Sequence, residues 1–460
     1  MQLERSKTKF ERCRQRGTVL ILVLWIAIGL VSIALYFANS MTYELRASDN
    51  RASGLASDQA IEGAARYINY VLTEYATNGA VPQTTQFQYQ AVPVGDAHFW
   101  LIGRDNSGTP STEPAFGLVD EASKLNVNYA STNALYNLPN MTLDLADAIV
   151  DWRSTNDVGN YSMDYSSSGY EDKHEPFETV GELRLVYGMT TGLLYGNDLN
   201  RNGVLDTSEQ TNGAVSEIQP GLSEYVTVYT REPNFDINGD SFTNVSNAGA
   251  AELRTLFQEN DIANATTVAP RVIATRPAAG YSGMLQFCLA CKRVGISSAD
   301  FAKIYPYITT STASYIRGRV NINTASETVL EALFMGAGID QSTAESAAQT
   351  MVTYREQNPS ETNSPAWMID ALGTTSQVVA TLATAGDYIT TRSYQFAADI
   401  AAVGPYGRGY RRVKFIFDTS DGTPKIIYRQ DLSGLGWALG DKARETWVVN
   451  GGSSTDNQNL

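Results

Sequence analysis

RQRGTVLILVLWIAIGLVSIALYFA, residues 14–38, is the stretch whose reading decides the fold. From Thr18 to Ala38 it holds no charged residue and no proline. At 1.5 Å per residue a helix of that length spans about 31 Å, the thickness of a bilayer core. Residues 1–17 carry Arg5, Lys7, Lys9, Arg12, Arg14 and Arg16 against Glu4 and Glu11, a local charge of +4 within a chain of net charge −15, so everything downstream sums to −19. That asymmetry keeps the head cytoplasmic and sends the acidic body across the membrane. A cleaved secretory signal has a shorter apolar core and a small-x-small site after it, whereas this run closes on Tyr36-Phe37-Ala38.

Apolar periodicity continues beyond the membrane edge. In MTYELRASDNRASGLASDQAIEGAARYINYVL, residues 41–72, Leu45, Ala52, Leu55, Ala56, Ala60, Ala64, Tyr67, Ile68 and Val71 recur at helical spacing. The two stretches predict one helix of more than 50 residues, lipid-embedded in its first half and packed on a globular domain in its second. A basic head ending in Gly17, directly before such a helix, resembles the type IV prepilins and the pseudopilins of type II secretion. The resemblance implies that a prepilin peptidase cleaves between Gly17 and Thr18. Most pilins carry a glutamate at the fifth mature position, and here that position is Leu22. An anchor that is never cleaved is the plain alternative.

Past the helix, FQYQAVPVGDAHFWLIGRD (87–105) alternates as a hairpin, and residues 393–431 read as three strands with turns at Gly404–Gly409 and Ser420–Gly422. The middle is mostly helical. The fold class predicted is α+β: a long N-terminal helix packed on an antiparallel pilin-like sheet, with a large helical domain inserted in that sheet. The expected boundaries are a leader at 1–17, a membrane span at 18–38, the rest of the helix and first strands at 39–108, the insertion at 109–392, the returning strands at 393–436 and a flexible tail at 437–460.

Within the middle, Leu125–Ser131 (LNVNYAS) and Val320–Ser326 (VNINTAS) each precede a helical run that leads to an aromatic-Arg pair, Trp152-Arg153 and Tyr354-Arg355. Thr243–Ala248 (TNVSNA) is a weaker copy. Asn, Ser and Thr at these places are helix start signals. With LVDEASKLNVN (118–128), DAIVDWRSTND (147–157), VGELRLVYGMT (180–190) and YRRVKFIFD (410–418), they sharpen the resemblance to the protein K family of type II secretion, the large minor pseudopilins. That resemblance implies a single-pass inner-membrane anchor with a periplasmic body, and a place at the tip of the pseudopilus. It also implies partners: other minor pseudopilins, the major pseudopilin, the prepilin peptidase and the inner-membrane secretion platform. Members of this family tend to lack the fifth-position glutamate, which suits Leu22. A minor pilin of a surface pilus and a membrane-anchored calcium-dependent binding module are the other readings.

Asp198–Glu209 (DLNRNGVLDTSE) fits the EF-hand calcium loop D-x-[DN]-x-[DN]-G-x5-E. Asp198, Asn200, Asn202 and Asp206 bring oxygens to a hard cation, Val204 offers its carbonyl, Gly203 permits the sharp turn and Glu209 can bind through both oxygens. A second, weaker stretch places Asp236, Asn238, Asp240 and Asn244 at the same alternate spacing with the Phe242 carbonyl, but its glycine is displaced to Gly239 and no glutamate closes it. The protein K resemblance independently implies calcium.

The acidic body opposes nucleic acid, because phosphate binding runs on Lys and Arg. Helix-hairpin-helix units share the V-N-x-N-x-A-S start, yet Gly336 and Gly338 are surrounded by Glu327, Glu331, Asp340 and Glu345. No nucleophile, Walker or dinucleotide motif is present, and His98 and His174 stand apart from any. Asp147, Asp151, Asp157 and Glu171 read as caps or further oxygen donors. Cys288 and Cys291, i,i+3 on a predicted helix, read as small core residues.

Overall fold

A computed structural model describes residues 15–76, 78–105, 113–155, 162–206, 209, 218–236 and 239–449. Most of the basic head, Asp157 and Asn238 lie outside them.

Helix α1 runs from Gln15 to Tyr75, unbroken. Its first half is long and apolar enough to cross a membrane and touches nothing in the chain. Its second half buries Ala60, Ile61, Ala64, Ala65, Ile68, Val71 and Leu72, a 3.6-residue stripe, against Phe99, Leu101, Phe396, Ala398, Ile400, Phe415 and Phe417 of the sheet. Each fully buried Ile, Leu or Val there contributes about 1.5–3 kcal/mol. Buried contact starts at Ser53, not at Leu45 as the periodicity predicts: Leu45, Ala52 and Leu55 are exposed. The body ends where the loop 404–410 crosses the helix. A Cβ on Gly404 would sit 2.5 Å from the Ser53 carbonyl oxygen, and one on Gly409 (φ +70°) 2.5 Å from the Ser53 carbonyl carbon, so only bare backbone fits this crossing. Residues 39–52 are about 21 Å of largely exposed helix between the apolar run and the body, which reaches them through Arg408, paired with Asp49 at 3.7 Å.

The sheet has six strands: β1 (Val92–Val94), β2 (Ala97–Ile102), β3 (Val119–Asp120), β4 (Gln395–Val403), β5 (Arg411–Asp418) and β6 (Lys425–Asp431). They run in the order β1-β2-β4-β5-β6, with β3 also paired to β4, and every pairing is antiparallel. Central β4 is buried along its whole length, and its alanines let α1 approach closely. Pro93 lies in the edge strand β1, where its missing N–H costs no ladder bond. The far face carries Trp100, Ile102, Ala401 and Val403, covered by Ala438, Leu439, Ala443 and Trp447. Residues 437–449 are thus part of the body rather than of the predicted tail; two tryptophans in that stretch supply apolar area that a solvated tail would waste.

Because β3 pairs with β4, the insertion occupies residues 121–394, later than the expected 109. Its base is stapled by Asp120. One carboxylate oxygen accepts from Asn321 Nδ2 (3.0 Å), Ser393 Oγ (2.5 Å) and Thr324 Oγ1 (2.5 Å), the other from the Ala122 N–H (2.8 Å).

The insertion is built from three copies of one module, where the sequence displays two and a weak third. Each opens on a two-residue strand ending in Asn and closes on a parallel strand ending in Thr: Leu125–Asn126 with Val226–Thr227, Thr243–Asn244 with Ile308–Thr309, and Val320–Asn321 with Ile389–Thr390. Asn126, Asn244 and Asn321 each accept a bond from the N–H two residues on, at 2.9, 2.9 and 3.0 Å. Thr227, Thr309 and Thr390 do the same at 3.2, 3.1 and 3.1 Å. A helical pair follows each opening strand: α2 (Thr132–Tyr136) and α3 (Leu143–Arg153), α4 (Ala250–Glu259) and α5 (Ala265–Ala274), α6 (Glu327–Gly336) and α7 (Gln341–Gln357). At or just beyond the second helix of each pair, an arginine reaches back to the carbonyl four residues after the Asn: Arg153 to Ala130 (2.6 Å), Arg276 to Ala248 (2.7 Å) and Arg355 to Ala325 (2.7 Å). The middle copy is obscured in sequence because Thr275, not an aromatic residue, precedes Arg276.

Candidate functional site

The loop opening at Asp198 folds into a closed ring of oxygen donors. Asp198 accepts from the N–H groups of Asn202 (3.2 Å) and Gly203 (2.7 Å), the latter in the left-handed region at φ +90°. Asn200 Oδ1 accepts from Asn202 N–H, and Asn202 Oδ1 from Val204 N–H, both at 3.0 Å. Glu209 reaches across to the N–H groups of Asn200 (2.9 Å) and Asp206 (3.1 Å), closing the ring from its far end. The amides of Asn200 and Asn202 both turn toward one oxygen of Asp206. The spacing thus brings Asp198, Asn200, Asn202, Asp206 and Glu209 together, with Val204 buried beside them.

The donor set fits a hard divalent cation: carboxylates, amide oxygens and a main-chain carbonyl. Asp198 is 5% exposed, and burial pushes its carboxyl up to about 6, with Arg104 and the Gly203 N–H pulling the other way. A cation bound beside it would stabilise its charged form further. Three carboxylates alone do not make the site: among the described residues no group of three or more His, Cys, Asp or Glu side chains is gathered in metal-holding geometry. Asn200, Asn202 and the Val204 carbonyl would have to share the coordination.

Sequence reasoning does not find what holds this loop. Arg412, fully buried in β5, donates to the carbonyls of Asn200 and Arg201, the latter at 2.9 Å, and is itself held by Asp399 of β4 at 2.9 and 2.7 Å. Arg104, just past β2, donates to the Arg201 carbonyl at 3.0 Å and is clamped by Glu224 at 2.6 and 2.9 Å. Burial alone would weaken the charge on both groups; Arg104 keeps Glu224 far below the usual carboxylate range despite it. One signal does exist in the sequence: Arg412 and Lys414, i and i+2 on the strand Arg411–Asp418, predict a polar partner over the face they share.

In the second stretch, Asp236 Oδ1 accepts from the Asp240 N–H at 2.8 Å, a tight turn beside Gly239. Asn244 is committed elsewhere: its oxygen takes the Ser246 N–H, as those of Asn126 and Asn321 take the N–H two residues on, and its amide donates to the Ser311 carbonyl at 3.2 Å. The Phe242 ring lies 5.8 Å from the Arg392 guanidinium. This stretch therefore serves the middle module, and Asn238 lies outside the described residues.

Gly17 and Thr18 lie in the first turns of α1, and Leu22 is exposed with its apolar neighbours. In the hairpin between α6 and α7, the N–H groups of Ala337, Gly338 and Ile339 bond to carbonyls of α6 at 3.1, 2.9 and 3.1 Å, leaving none for a phosphate. A Cβ on Gly336 would sit 2.6 Å from that of Ala134, so the hairpin packs the third module onto the first. Cys288 and Cys291 are buried in the helix Met284–Arg293, and burial pushes both thiols up. Asp151 is buried whereas Asp147 and Glu171 are exposed. The His98 ring packs 4.3 Å from that of Trp447, and His174 Nδ1 lies 3.0 Å from the Ser154 carbonyl oxygen.

No protein-family model and no curated protein matches the sequence. Among solved structures, a chain of the GspK-GspI-GspJ complex from the type 2 secretion system of enterotoxigenic Escherichia coli is similar at 10% identity and a TM-score of 0.36. The match covers 84% of this chain and 99% of that one. Identity and TM-score are both too low to transfer residue roles or partners.

Proposed function

We propose that the chain is a large minor pseudopilin of a type II secretion system, of the protein K kind, which caps the pseudopilus and so supports export of folded proteins. The observation that carries this is architectural: a 61-residue helix, apolar and free of the body in its first half, packs on an antiparallel sheet that a helical insertion divides between β3 and β4. A membrane-seated helix with about 21 Å of largely exposed length beneath the body is built to bundle with like helices. The sequence motifs at 118–128, 180–190 and 318–326 lead to the same family.

The tip assignment follows from Leu22 and from bulk. A carboxylate in an apolar bundle needs a partner, and Leu22 offers none toward a subunit ahead, while the Thr18 amine left by cleavage can still meet one behind. The insertion hinders stacking above it. Calcium in the Asp198–Glu209 loop would add its charge where the insertion meets the sheet.

Co-expression of the full-length chain with the minor pseudopilins of its own secretion operon tests the reading. A membrane-extracted complex with one copy of this chain, and loss of substrate export on its deletion, are expected. Many copies along the fibre would overturn the tip assignment, and normal export without the chain would overturn the function.

A further inference from the structure

Arg412 and Lys414 share one face of β5, but only the first is fully engaged: Asp399 and the Arg201 carbonyl take up Arg412. Among the described residues the one ion-pair partner of Lys414 is Glu121, whose Oε1 lies 3.9 Å from its ammonium, too far for a hydrogen bond. That oxygen is shielded from solvent and has no hydrogen-bond partner among the described residues, while Oε2 takes the Thr227 hydroxyl at 2.5 Å. Lys124, 7% exposed, donates to the Ser223 carbonyl at 3.2 Å, one of the three bonds an ammonium can make.

These three side chains line a cleft of about 100 Å³ between the insertion and the sheet, with Ile102, Val119, Val226 and Ile416 as its apolar wall. Arg104 and Glu224, also on the wall, are spent on one another at 2.6 and 2.9 Å, and Asp399 is spent on Arg412. Arg201 stacks over the Tyr195 ring at 3.5 Å. The uncommitted charge is therefore positive, in a chain of net charge −15. Burial pulls the Lys124 pKa down; Glu121 and Glu224 oppose this, and Lys414 and Arg104 deepen it. An anion set beside the lysines favours their charged forms.

We propose that this cleft binds the C-terminal residue of a peptide. The carboxylate lies between Lys124 and Lys414, the N–H of the same residue donates to Glu121 Oε1, and an apolar side chain rests on the Ile102–Ile416 wall. A phosphate brings more negative charge against Glu121 and no uncharged donor for its free oxygen. A free amino acid sets a full ammonium among cations. The volume suits one side chain, since a cavity of about 150 Å³ holds benzene.

The test is calorimetric titration of the full-length chain, in detergent micelles, with N-acetyl-L-leucine, N-acetyl-L-leucinamide and inorganic phosphate. Saturable binding of the acid is expected, with the amide at least about tenfold weaker because it lacks the charge-assisted bonds. Lys414→Met, at a partly exposed site, should weaken the acid by a similar factor, and Lys414→Arg should restore most of it. The same titration of a complex with co-expressed partner subunits identifies the source. A partner's terminus in the cleft blocks the probe until that partner's last residues are removed, whereas a free-peptide site stays open. No binding of the acid, equal binding of acid and amide, phosphate bound as tightly, or an unaffected Lys414→Met overturns the proposal. The comparison of acid with amide on wild-type protein decides even where a variant fails to fold.

Discussion

Arg355 closes the third module, and its replacement by methionine tests whether the module is held as described. Its guanidinium is nearly buried and donates to the carbonyls of Ile322 (3.0 Å) and Ala325 (2.7 Å), on residues wholly shielded from solvent. Burial pulls its pKa down to about 10, which still leaves it charged at neutral pH. Met keeps the length of the stem but strands both carbonyls. Two charge-assisted bonds at roughly 1.5–3 kcal/mol each, offset in part by relief of a buried charge, give a net loss of about 2–3 kcal/mol. Arg276→Met removes one bond from a half-buried site and should cost about 1 kcal/mol. Arg355→Lys keeps the charge without the fork and should fall between. Urea titration followed by tryptophan fluorescence is the assay. Trp367, stacked on Tyr354 with ring centroids 5.8 Å apart, reports the third module directly. A loss under about 0.5 kcal/mol for Arg355→Met, or equal losses at Arg276 and Arg355, would refute the reasoning.

Burial raises the Asp120 carboxyl to about 6, outweighing its bonds from Ser393, Thr324, Ala122 and Asn321, so the fold favours its protonated form. Its contribution is full below the free-chain value near 3.9 and is lost as pH rises through 6. Asp198 shifts in the same window, so the comparison is of slopes: the urea midpoint of Asp120→Asn should vary less between pH 4 and 7 than that of the wild type, and parallel slopes would count against the assignment. Gly336→Leu drives a side chain into Ala134 and should destabilise by about 1–3 kcal/mol, whereas Gly338→Asn, where the space is open, should cost less; equal effects would mean that the first and third modules do not pack as seen. Co-expression with a prepilin peptidase should yield a chain beginning at Thr18 by intact mass, and an unprocessed Met1 terminus beside active peptidase would sink the pilin reading.

Local chemistry makes several features legible in the amino-acid sequence by itself. An uncharged 21-residue run behind a basic head is long and apolar enough to cross a membrane, and the apolar stripe from Ala60 to Leu72 repeats at the helix period, so α1 follows from neighbours in sequence. Ser131 and Ser326, before Thr132 and Glu327, announce helix starts because their side chains satisfy N–H groups within a few residues. The ring from Asp198 to Glu209 is equally local, since each donor position is set by the turn. What the tertiary structure alone decided depends on groups far apart in the chain. The point where α1 meets the body is set by Gly404 and Gly409, some 350 residues beyond Ser53. The third module copy shows itself only when Arg276 reaches the Ala248 carbonyl. Arg104, Arg412 and Trp437 converge on the candidate calcium loop because the sheet pairs β2, β4 and β5 side by side, a neighbourhood that no local pattern records.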